Sequence, residues 1–309
     1  VLRGHYPFDP HCLECQQGRG VSRAPRPSLR ERILEVQVDF FFLGLVESKF
    51  KMILLRQVFS GLLGVTAVSE NVQVTGQHLR QILAEFGLLE TLEGPPVDFR
   101  TDAQDEVGTV LRRSGLPREY TVNKAGPQNH DTVGSVERGV REVKEALAVL
   151  RLELAKAGLD LVDSLVAWEA ASRYVTAMHN LHGKIQNTGK TGKELLRNTS
   201  EGTRISAMFC SRVLAETPES VDSIGRFVTA AYLYPVRNSF AHFVCAKIAD
   251  ELKFFQAKSL KLVFPIEYPQ DLIERFVCHS GSGDHPSLVD QAPIEILPEI
   301  GRASCRERV

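Results

Sequence analysis

Residues 127–144, PQNHDTVGSVERGVREVK, decide how the rest of the chain is read. Glu137, Arg141 and Lys144 are separated by four and then three positions, so on a 3.6-residue helix the carboxylate and both cations share one face. Such a stripe can hold a metal ion together with the phosphate that the ion acts on. Taken alone, its commoner origin is a solvated helix face with an ordinary Glu–Arg pair. Two acids upstream shift the balance. Asp39 in ILEVQVDFFFLG (33–44) and Asp102 in VDFRTDAQDE (97–106) each read as ending an apolar strand. An acid there is costly unless a metal or a cation compensates it. Together with a helix-borne Glu137, the two acids point to a metal site.

The residues around these acids resemble the integrase catalytic core of retroviruses and retrotransposons, especially the copia-type elements. Between Asp102 and Glu137 lie 34 residues, against about 35 in that family's acidic triad, a difference that a loop absorbs. Gly134 three before Glu137, Arg138 directly after it and Lys144 seven after it match the family pattern. The chain departs from it at Val133, where the family has Asn, and at Ala103–Val107, where the family has a Gly-Gly-Glu-Phe run. Asp105 and Glu106 in that run read as charges at a helix start.

Composition sets wider bounds. The 309 residues suffice for one good core and a smaller second unit, and the net charge of −1 excludes a protein whose whole surface coats nucleic acid. DNA contact must come from local basic faces. Six scattered cysteines, of which only Cys12 and Cys15 lie close together, read as a reducing compartment. No signal sequence or membrane-length apolar run is visible, so a soluble protein of the nucleus and cytoplasm is expected, with no membrane partner. The closing residues 300–309, IGRASCRERV, resemble a translated sequencing adapter and are read as an artefact; without their three Arg and one Glu the net charge moves from −1 to −3.

Residues 1–30 are read as a partial zinc-binding arm with a basic linker. Cys12 and Cys15 can chelate one zinc with His5 as third ligand, and His11 is a fallback. A redox-inert polar loop is the other reading. Residues 31–182 are expected to form the core. Strands are predicted at 33–43, 50–58 and 62–69 in an antiparallel meander, then at 97–101 and 119–123. Helices are predicted at 75–88, opened by Thr75 and closed by Gly87, at 104–113, at 133–157 and at 160–181. In the third of these, Val136, Val140, Val143, Leu147 and Leu150 form the buried stripe, with Glu137 beside it. Trp168 and Tyr174 read as packing residues, His179 and His182 as surface histidines. Polar residues 183–205 read as a linker, and the GKTGK run (189–193) lacks the spacing and the preceding strand of a phosphate loop. Short strands over 206–268 predict a small all-β C-terminal domain. Arg237, Lys247, Lys253, Lys258 and Lys261 fit either a DNA-binding face or edge charges against aggregation. Residues 269–299 read as a flexible tail.

The resemblance, strongest over 33–158, implies an α/β RNase H-like fold, a five-stranded mixed sheet flanked by helices. It implies that Asp39, Asp102 and Glu137 bind two Mg or Mn ions, with Asp39 bridging, and that Arg138, Arg141 and Lys144 contact DNA. The activity implied is that of an integrase, a polynucleotidyl transferase with nuclease activity that trims retrotransposon DNA ends and joins them to host DNA. Its partners are element-end DNA, host target DNA and further copies of the chain. The family's zinc knuckle implies that the fourth ligand precedes Val1. The alternatives are a related transposase or nuclease, and a decayed element whose fold survives as a DNA-binding or assembly module.

Overall fold

In EVQVDFFFL alternate side chains point to opposite sheet faces, and in MILL (52–55) every residue is apolar, as expected of a strand buried on both sides. The computed structural model describes residues 35–44, 49–69, 71–89, 96–102, 105–116, 119–124, 134–159, 161, 164–185, 188–197, 207–218, 226–236 and 239–277. Strands β1 (Glu35–Leu43), β2 (Phe50–Gln57), β3 (Leu63–Ala67), β4 (Val97–Thr101) and β5 (Tyr120–Lys124) form one mixed sheet in the order β3-β2-β1-β4-β5. β1, β2 and β3 pair antiparallel; β4 and β5 join parallel to β1 and to each other. This is the five-stranded mixed sheet expected for an RNase H-like core.

Helices cover both faces. Val36, Val38, Ile53 and Leu55 pack on helices α1 (Val72–Glu85) and α2 (Asp105–Ser114) through Leu79, Leu83, Val107 and Leu111. Phe41, Met52, Leu54 and Val65 pack on α3 (Gly134–Lys156) and α4 (Leu165–His182) through Val136, Val143, Leu147 and Trp168. Gly139 lets α3 settle onto the sheet: a Cβ at this position would lie 3.0 Å from the side chains of both Leu54 and Leu63. Val140, expected in the buried stripe, is only partly buried, and Gly139 takes the central place.

Helix α1 starts earlier than its apolar pattern implied. The Asn71 side chain accepts from the Gln73 N–H at 3.1 Å as the N-cap, while Thr75 is buried within the helix and its Oγ1 accepts from Ser69 N–H at 2.9 Å. Residues read as a linker include a short helix, α5 (Gly192–Arg197), and a bridge between Lys184 and Thr191. Their polarity is satisfied by packing: nearly buried Lys193 lies 3.3 Å from Glu85 of α1. The rest of that stretch lies largely outside the described residues.

Strands β6 (Arg212–Glu216), β7 (Phe227–Pro235), β8 (His242–Ile248), β9 (Glu251–Ala257) and β10 (Leu260–Leu262) form a second, fully antiparallel sheet in the order β10-β6-β7-β8-β9. It packs directly on α4, with Tyr174 ringed by Phe209 at 5.5 Å and Tyr232 at 6.4 Å between centroids, so one apolar cluster runs from the first sheet into the second. The start of the expected tail is a helix, α6 (Gln270–Val277), because Leu272 and Ile273 bury into that same cluster. Residues 278–309 lie outside the described residues. Among the described residues no helix is long and apolar enough to cross a membrane.

Candidate active site

Register brings the first two acids together. β1 and β4 pair parallel as Glu35↔Asp98, Val36↔Phe99 and Gln37↔Arg100. The same offset carried two residues further sets Asp39 level with Asp102, on neighbouring strands about 4.8 Å apart. Asp39 lies in the middle of β1, paired on its other side with Leu54, and not at the strand end that the sequence suggested. What ends there is the pairing with β4: the strand stops at Thr101, so Asp39 has an open edge toward Asp102.

The third acid arrives from the sheet face. Gln37 and Asp39 point to the same side of β1. The Gln37 Oε1 accepts from the backbone N–H groups of Ser135 at 3.1 Å and Val136 at 3.0 Å, which places the first turn of α3, and Glu137 with it, over that side. Burial, first, and then the charge of Asp102 push the Asp39 carboxyl up to about 6; Glu137 adds to the rise, while the Phe40 N–H and Lys144 oppose it. Lys144 also lies 5.9 Å from the centre of the Phe41 ring. Asp102, Glu137 and Lys144 therefore all act on Asp39 at the open end of the β1–β4 seam.

Arg138 and Arg141 belong to a different group. Burial and then Arg56 of β2 hold the Arg138 guanidinium below its ordinary range, against Glu142 and with a further contribution from Arg141. Arg56 donates to Glu142 at 3.0 Å, and His179 lies 4.0 Å from the same carboxylate. His179, expected on the surface, is mostly buried beside the Gly61 carbonyl. Glu137 acts on Asp39 while Arg141 acts on Arg138, although the two lie on one helical stripe. Asp105 and Glu106 open α2, paired with Lys124 at 3.3 Å and Lys51 at 2.7 Å, as helix-start charges. Trp168 and Tyr174 are buried packing residues.

His5, Cys12 and Cys15 lie outside the described residues. Among the described residues no three His, Cys, Asp or Glu side chains close to ligating geometry. The donor set of Asp39, Asp102 and Glu137 nonetheless fits a divalent cation. Asp102 and Glu137 both press on the Asp39 carboxyl, and a bound cation relieves that repulsion where Lys144 does so only in part. Gln37 was missed in the sequence; a polar residue on the buried face of a strand, two before a candidate ligand, is the signal that would have found it.

No family model matches the chain, and no curated protein matches it. Two of the solved structures that are similar to it are retroviral. One is the cryo-EM structure of a simian T-cell lymphotropic virus intasome in complex with PP2A regulatory subunit B56 gamma, at 17% identity and TM-score 0.40, with 82% of this chain and 88% of that chain covered. The other is the HTLV-2 integrase catalytic core domain in complex with magnesium in its trimeric form, at 17% identity and TM-score 0.35, with 51% of this chain and 92% of that chain covered.

Proposed function

We propose that the chain is an integrase-type polynucleotidyl transferase that trims the ends of a retrotransposon DNA and joins them to host DNA. The observation that supports it is that Asp102 and Glu137, acids from β4's end and from α3, both act on the half-buried Asp39 carboxyl, which burial and these two charges push up to about 6. Asp39, Asp102 and Glu137 would hold Mg or Mn. Bound ions of this kind supply Lewis acidity to the oxygens of a phosphodiester. Lys144, the cation that acts on Asp39, is placed to neutralise a phosphate entering the site. Arg138 and Arg141, exposed on α3, would offer a second positive surface suited to a phosphate further along the strand. His5, Cys12 and Cys15 would hold zinc in the N-terminal arm. Joining two DNA ends calls for more than one copy of the chain, acting where host DNA is found.

The test is strand transfer and end trimming by the full chain with Mn²⁺. Asp102→Asn and Glu137→Gln are each expected to lower the rate at least about 100-fold while DNA binding persists. Full activity in either variant would overturn the assignment. Tight DNA binding with no metal-dependent activity in the unaltered chain would favour the decayed binding or assembly module.

A further inference from the structure

Gln37 is only 3% exposed, on the face of β1 that also carries Glu35 and Asp39. An amide buried there is costly unless its hydrogen-bonding capacity is used. Its Oε1 accepts from Ser135 N–H at 3.1 Å and Val136 N–H at 3.0 Å, and its Nε2 donates to Glu35 Oε1 at 3.1 Å. The two accepted groups are among the N–H donors at the opening of α3, which find no partner within a helix. Glu35 in turn lies 3.6 Å from Arg100 Nε, and Arg100 donates to Asp98 at 2.9 Å, so the amide is steadied from β4 as well.

We infer that Gln37 is a positioning residue, tying the backbone that carries Asp39 to the backbone that carries Glu137. Asp39 stands two residues along the same strand face, and Glu137 directly follows the second anchored N–H. A shift of the α3 backbone at Glu137 relative to the β1 backbone at Asp39 must stretch a bond to Gln37. Glutamine does this without adding charge beside Asp39, on which Asp102 and Glu137 already act. A leucine would fill the volume and leave two buried N–H groups without an acceptor, releasing the first turn of α3. This role rests on the metal-binding reading of the three acids.

A double-mutant cycle on the full chain separates the two ideas, with Mn²⁺ alone as the probe and the free ion followed by electron paramagnetic resonance. Gln37→Leu is expected to weaken Mn²⁺ binding about 10-fold in the otherwise unaltered chain and less than about 2-fold when Glu137→Gln is already present, because it acts through Glu137. Equal losses in both backgrounds, or none in either, would overturn the positioning role. Should Gln37→Leu fail to fold, Gln37→Asn takes its place with the same expectations, since it keeps the amide but is one methylene short of α3. Unchanged Mn²⁺ binding in Glu137→Gln alone would remove the metal site itself, and the tether with it; a Glu137 effect with a background-independent Gln37 effect would remove the tether only.

Discussion

Burial and the charges of Asp102 and Glu137 push the Asp39 carboxyl from 3.8 to about 6, so between those values the folded chain keeps a proton that the unfolded chain has released. Stability on this account falls as pH rises through that window, and the whole loss is present above about 6. Asp39→Asn is therefore expected to raise the melting temperature by about 2–4 °C near neutral pH, with the gain vanishing below about pH 4. Thermal melts over that range check it; a gain independent of pH would show that charge is not its cause. Mn²⁺ should stabilise the unaltered chain and not the variant. The carboxyl that costs stability is the one the proposed chemistry needs ionised, so ion binding should weaken as pH falls through about 6.

At the scale of elements, α3 is held at two points, its N–H groups on Gln37 and its close approach at Gly139 over Leu54 and Leu63. Gly139→Val must push these leucines or the helix aside, at a cost of about 2 kcal/mol. Urea unfolding measures that cost, and an unchanged midpoint would mean that the sheet yields freely beneath the helix. The turn between β8 and β9 shows a different economy: Ala249 at φ 51° and Asp250 at φ 64° adopt the left-handed pair that a two-residue hairpin requires.

Across the whole molecule, the apolar cluster that joins the two sheets is crossed by a buried polar network. Glu169, fully buried on α4, receives Arg173 at 2.6 Å and Thr66 at 3.0 Å, and Arg173 reaches the Tyr234 hydroxyl of β7 at 3.3 Å. Removing one member of a buried pair strands the other's charge, so Arg173→Met should cost about 3 kcal/mol. Because the two sheets share a core, fluorescence and circular dichroism should follow a single transition before and after the change. Two separate transitions in the unaltered chain would contradict a shared core.

The amino-acid order determined the elements themselves. Apolar period and length marked β1 to β5, α3 and the short strands after residue 206, because each pattern is local and repeats over several residues. It also marked Asp39 and Asp102 as acids placed where a carboxylate is costly, and Glu137 as an acid beside the buried stripe of its helix. What brings them together is the parallel register of β1 with β4 and the docking of α3 on Gln37, pairings between segments about 60 to 100 residues apart that no local pattern encodes. For the same reason the polar stretch after α4 looked like a linker, although Lys193 and Glu85 hold its helix α5 on α1. Which cations face the acids was likewise decided only in three dimensions. Lys144 acts on Asp39, while Arg138 is set among Arg56, Glu142 and Arg141, because the pitch of a helix names a stripe and its seating on the sheet decides which neighbours that stripe meets.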